Sequence, residues 1–151
     1  EGDYGLAFAY DETDKGWGGA TISKEVDWSD CNALQFYMVP DGKNQKTVIQ
    51  INANGVTYET YLQEYEAYRA NGAKPVLVTI PFTDFCQRDT EGNPKGGLVD
   101  DCRKIQSFGL WVNAIADSEA VSGGRVSGTL YYDQITAVKS EQTEASFVAV
   151  K

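Results

Sequence analysis

The run TVIQINANGVTYETYL, residues 47–62, constrains the fold more than any other stretch. Its first half alternates. Ile49 and Ile51 point to one face, and Val48, Gln50 and Asn52 to the other. Asn54-Gly55 follows, a dipeptide suited to a two-residue hairpin turn because both positions must take positive φ. VTYETYL, 56–62, is then the returning strand. Alternation of apolar and polar positions fits an antiparallel sheet with one face on a core and one face toward water.

The pattern recurs along the chain. YGLAFAY (4–10), TISKEVDW (21–28), ALQFYMV (33–39), PVLVTIPF (75–82), IQSFGLWVN (105–113) and TLYYDQITAV (129–138) all read as strands. Turn clusters such as PDGKNQ, 40–45, divide them. QEYEAYRANG, 63–72, differs: it has no β-branched residue and ends at a glycine, as a short helix does. Loops are expected at about 86–101 and at 116–128. The tail from Lys139 is polar and closes on ASFVAVK, a last strand or a tail. Strands without any βαβ rhythm predict an all-β chain, an antiparallel β-sandwich of the jelly-roll kind with one short helix. At 151 residues the chain is read as a single domain over 1–151.

Charge narrows the function. Asp and Glu number 22 against 13 Lys and Arg, for a net charge of −9, and histidine is absent. An acidic surface disfavours nucleic acid and anionic membranes. Without histidine, neither a serine–histidine nor a cysteine–histidine nucleophile can be built. The three cysteines are Cys31, Cys86 and Cys102. Cys86 and Cys102 bracket a Gly-rich loop that a disulfide would close, leaving Cys31 as a thiol. Three buried thiols is the alternative.

FGLWVNA, 108–114, holds the sharpest functional signal. Phe108, Leu110 and Val112 form a core face, while Gly109, Trp111 and Asn113 face outward. Outward sets on other strands are Gln35 and Tyr37, and Gln50 and Asn52. Placed on neighbouring strands, these would combine aromatic plates with amides. That combination suits sugars, whose C–H faces stack on rings and whose hydroxyls bond to amides. Trp17 sits between glycines in DKGWGG, where a ligand can approach closely. Arg88 and Asp89, in CQRDTEGNPKGG, are candidates for hydroxyl contacts at a cleft edge. The predicted ligand-binding set is Trp17, Tyr37, Gln50, Asn52, Arg88, Asp89, Trp111 and Asn113. Trp28 reads as a structural plug, and Tyr58, Tyr61, Tyr65 and Tyr68 as a packing stripe of which one or two could rim the cleft. Asp3, Asp11, Asp14 and Asp133 are candidate ligands for a structural calcium. Asp100 and Asp101 are adjacent, so on a strand they point to opposite faces and make a poor catalytic pair.

The succession GLAFAYDETDKGWGGA, VDWSDCNALQFYMVPDG, VIQIN, VTIPFTDF, IQSFGLWVN and GTLYYDQITAV resembles carbohydrate-binding modules with a galactose-binding-like jelly roll, above all family 11 and related β-glucan- and β-mannan-binding modules. The likeness runs from about Gly5 to Val138. It implies a non-catalytic, monomeric module attached to an extracellular glycoside hydrolase of plant-cell-wall degradation. It implies an open cleft on one concave sheet for a single β-1,4-linked chain, and a structural calcium opposite. Trp17 then falls in an aromatic cleft segment and Arg88 at a cleft arginine. Asp89 and the Trp111 strand correspond with a slip of one residue. The opening acidic strand of the family has no counterpart here, which weakens the calcium expectation. Two other readings stand beside this one: a small jelly-roll enzyme with a carboxylate pair, and a protein-interaction or adhesion module.

Overall fold

The computed structural model describes residues 5–99 and 101–151. Among these residues eleven strands form: β1 Leu6–Thr13, β2 Trp17–Val26, β3 Ala33–Val39, β4 Lys46–Ala53, β5 Val56–Tyr61, β6 Val76–Pro81, β7 Cys86–Arg88, β8 Pro94–Leu98, β9 Ile105–Asn113, β10 Arg125–Val138 and β11 Ser146–Ala149. One short helix, α1, covers Glu66–Asn71. It stops at Gly72, whose combination of φ 63° and ψ −134° suits glycine and few other residues. The strands make two sheets, ordered β1-β10-β3-β6-β11 and β2-β9-β4-β5-β7-β8. Their pairings are antiparallel. The chain passes back and forth between the sheets, giving the expected jelly-roll sandwich.

The core lies between the sheets. Leu34, Phe36, Met38, Val76, Val78 and Ile80 come from the first sheet, and Ile49, Ile51, Leu110 and Val112 from the second. Each set is every second residue of its strand, so alternation alone assigned it. Trp28 stacks on Phe82 with centroids 5.9 Å apart and planes 12° from parallel, at one edge of this core. The tyrosine stripe disperses. Tyr68 is in the core, Tyr65 is bonded to Thr60 and Asp84, and Tyr61 faces the other side of its sheet.

Several expectations are corrected. The β2 strand begins at Trp17, ahead of the expected 21, because Gly18 and Gly19 hide it from propensity. The stretch 86–101, read as loop, contains the hairpin β7–β8. Of the two cysteine readings, the Cys86–Cys102 bridge is not formed, since Cys86 carries a free buried thiol. Tyr37 lies on β3 in the first sheet, whereas Gln50, Asn52, Trp111 and Asn113 lie on β4 and β9 in the second. It therefore cannot share their surface.

Candidate functional site: a stacking cleft on the six-stranded sheet

Register builds the site. The Asn54–Gly55 turn, with φ of 54° and 79°, sets Gln50 opposite Glu59 and Val48 opposite Tyr61. On the other flank β4 pairs with β9, so Val48 lies opposite Trp111, and Gln50 opposite Gly109. β9 in turn pairs with β2, placing Gly19 beside Trp111 and Trp17 beside Asn113. Opposed residues share a face. The outer face thus carries a row Gly19–Trp111–Val48–Tyr61, next to a row Thr21–Gly109–Gln50–Glu59–Cys86. A cleft of about 300 Å³ opens over them, lined by Trp17, Val48, Gln50, Glu59, Trp111 and Asn113.

Two glycines make the Trp111 plate. A β-carbon on Gly19 would overlap the indole and also come within 2.7 Å of the Leu110 carbonyl. One on Gly109 would fall 2.8 Å from the indole Nε1. The ring therefore lies down across both positions. The bare backbone at 109 that the sequence leaves open is filled by this indole. The N–H edge is buried with no hydrogen-bond partner among the described residues, so the plate offers a ring face. Trp17 stands beside it, 69% exposed, with ring centroids 5.8 Å apart and planes at 50°. Polar groups flank the plates. Gln50 Nε2 donates to Glu59 Oε1 at 3.0 Å, and Gln50 keeps its amide oxygen as a further acceptor.

The far end is built differently. Tyr61 is 6% exposed, with the Arg88 guanidinium 3.9 Å from its ring centroid and Lys46 Nζ at 4.7 Å. Both distances suit cation–π attraction. Arg88 donates to the Gly92 carbonyl at 3.0 Å and pairs with Glu64 at 3.4 Å. Burial, helped by nearby Glu59, pushes the Tyr61 hydroxyl well above its ordinary pKa, so it stays a protonated donor.

The comparisons with known proteins agree with this architecture. The family 11 carbohydrate-binding module from Clostridium thermocellum, in complex with a β-1,3-1,4-mixed-linked tetrasaccharide, superposes with a TM-score of 0.52. The match covers 89% of each chain at 16% identity. This chain has the fold of that module. A mannan endo-1,4-beta-mannosidase of Bifidobacterium adolescentis is 27% identical over 106 residues, 64% of this chain. The matched stretch spans 10% of that enzyme's length. No protein-family model matches the chain.

On this module-like sheet, Trp17, Gln50, Trp111 and Asn113 of the predicted set come together. Asn52 shares the face but lies off the cleft, its Nδ2 3.4 Å from Thr57 Oγ1. Arg88 reaches the same face, yet its side chain is 7% exposed and already engaged. Asp89 is not a cleft residue: its carboxylate accepts the Glu91 and Asn93 amides at 2.9 Å each, which holds its pKa low. Tyr37 lines a separate apolar groove with Leu6, Val39, Tyr131 and Val150 on the opposite sheet. Glu59 was not predicted, although the hairpin register places it opposite Gln50; Val48 was read only as outward, and Tyr61 only as one of four tyrosines that could rim the cleft.

Of the calcium candidates the structure describes Asp11, Asp14 and Asp133. Asp3 and Asp100 lie outside the described residues. Asp11 is paired with Arg125 at 3.0 Å. Asp133 sits some six residues further along the β1–β10 ladder, roughly 20 Å away. Among the described residues no three acidic or thiol side chains gather as a metal site, and Asp11 and Asp133 lie too far apart along the ladder to share an ion. Asp101 is bound by Arg103, which holds its pKa at about 2.

Proposed function

We propose that this chain is a non-catalytic carbohydrate-binding module. Its ligand is a single β-1,4-linked chain of the glucan, mannan or glucomannan type, and it serves an attached extracellular glycoside hydrolase by holding that substrate. The observation that carries this reading is Trp111, laid face-up on two glycines beside an exposed Trp17. An exposed indole beside a half-buried one is costly to keep in water and well suited to the C–H face of a pyranose. Gln50, Glu59 and Asn113 rim the plates with hydrogen-bonding groups.

The fold shared with a module solved around a mixed-linkage tetrasaccharide supports a glucan ligand, and the mannosidase likeness supports a mannan one. The enzyme alternative is weaker. Among the described residues lining the cleft, Glu59 is the one carboxylate, and glycoside hydrolysis usually requires two across the bond. The adhesion alternative is weaker as well, because amides and a carboxylate interrupt the apolar surface. Affinity electrophoresis in gels containing barley β-glucan, glucomannan or galactomannan tests the proposal. The wild type should be retarded by at least one polymer, and Trp111→Ala should run as in a polymer-free gel. Equal mobility of the wild type in all gels would overturn it.

A further inference from the structure

The cleft has one open end and one blind end, and we infer that it captures the terminus of a glycan chain rather than its interior. This rests on the carbohydrate reading above. The cleft crosses the sheet from β2 through β9 and β4 to β5. At β2 it runs off a free sheet edge, where Trp17 is mostly exposed. At β5 it meets a wall. The β7–β8 hairpin has its tip at residues 89–93, and that tip curls onto the sheet face. A β-carbon on Gly92 would sit 3.2 Å from both the Tyr61 hydroxyl and Lys46 Nζ. Arg88 ties the tip down through the Gly92 carbonyl and covers the Tyr61 ring. Asp89 fastens the turn internally by accepting two backbone amides. Cys86, opposite Glu59 on the next strand, is buried as well.

An internal segment of a linear polymer needs two exits, one for each continuing arm. A terminal segment needs one. With Tyr61 and Cys86 covered, a sugar bound beside Glu59 meets no bare position beyond it in either row, and the chain leaves over Trp17. The groups at the wall suit a terminus, because they are hydrogen-bonding: the Glu59 carboxylate and the Gln50 amide can meet the hydroxyl that an internal residue would have spent on its linkage.

Titration calorimetry with cellotetraose, mannotetraose and size-fractionated barley β-glucan and glucomannan tests the inference. End capture gives one protein bound per polymer molecule at every length. It also gives a per-molecule dissociation constant that differs by no more than about threefold between tetrasaccharide and polymer. Proteins bound per polymer rising in proportion to length would overturn end capture and leave the carbohydrate reading intact. No heat with any of the four glycans overturns both. Replacing residues 89–93 by Asn-Gly removes the wall. That variant, with native circular dichroism, should bind several copies per long polymer. If it still binds one per molecule, the wall is not what restricts the site, and the inference is wrong.

Discussion

Gly19 lies beneath the indole of Trp111, on the neighbouring strand and in direct register with it. The plate is therefore as much a property of residue 19 as of residue 111. Its φ is not in the left-handed region, so an alanine there meets steric overlap and no backbone strain. Gly19→Ala should tip the ring off the sheet and weaken glycan binding about tenfold, or about 1.4 kcal/mol. The overlap with the Leu110 carbonyl also pushes β2 away from β9, so melting should fall as well, by about 2–4 °C. Calorimetry beside thermal unfolding checks this, and unchanged affinity would show that the tilt of Trp111 is unimportant.

Trp17 offers a complementary case. At 69% exposure it contributes little to the core. Trp17→Ala should cost about 1 kcal/mol of binding, roughly fivefold, from lost stacking. The melting temperature should stay the same. A large drop in stability would instead mark the ring as structural.

Tyr37 separates the two faces of the sandwich. It lies on the sheet opposite the cleft, beside the exposed Tyr131. Tyr37→Ala should leave glycan affinity within about twofold of wild type, below what a lost stacking contact costs. A tenfold loss would move the binding surface to the other sheet.

Glu12 carries a pH prediction. It is 7% exposed, on the inward side of β1 with Tyr10, and neither carboxylate oxygen has a hydrogen-bond partner among the described residues. Burial raises its pKa above the ordinary glutamate value. The folded protein therefore holds this proton over a pH range in which the unfolded chain has released it. Stability must fall as pH rises from the ordinary glutamate pKa through the raised one. Glu12→Gln removes the buried charge. It should gain on wild type as pH rises from about 4 to about 8, seen as a melting difference that widens with pH. A difference that stays constant with pH would refute the assignment.

The sequence was informative wherever a question was local. Alternation sorted Ile49 from Gln50 and Leu110 from Trp111, and the boundaries of β9 match the expected 105–113. The helix end at Gly72 and the turn at Asn54–Gly55 were legible for the same reason: positive φ has few suitable residues. Partnership between distant strands was not legible. Nothing in ALQFYMV says that β3 joins β6 and β10 instead of β4, so Tyr37 was assigned to the wrong surface. Glu59 and Tyr61 lay within reach, since counting back from a two-residue turn pairs 59 with 50 and 61 with 48. Asp89 was misread because a carboxylate in a charged loop looks available until its own amides claim it.

The outer row and the core are written in the same strands, on alternate letters. A substitution at 48, 50, 59 or 111 changes what the sheet can touch, while 49, 51, 110 and 112 keep the sandwich shut. A single inserted residue within β4 would exchange the two sets beyond it and turn Gln50 inward and Ile51 out. Preference for one sugar over another can therefore drift by point changes on this surface. Changes of length are confined to the turns, and the hairpin tip at 89–93 is the turn where a few residues more or fewer decide how much of a chain the protein can hold.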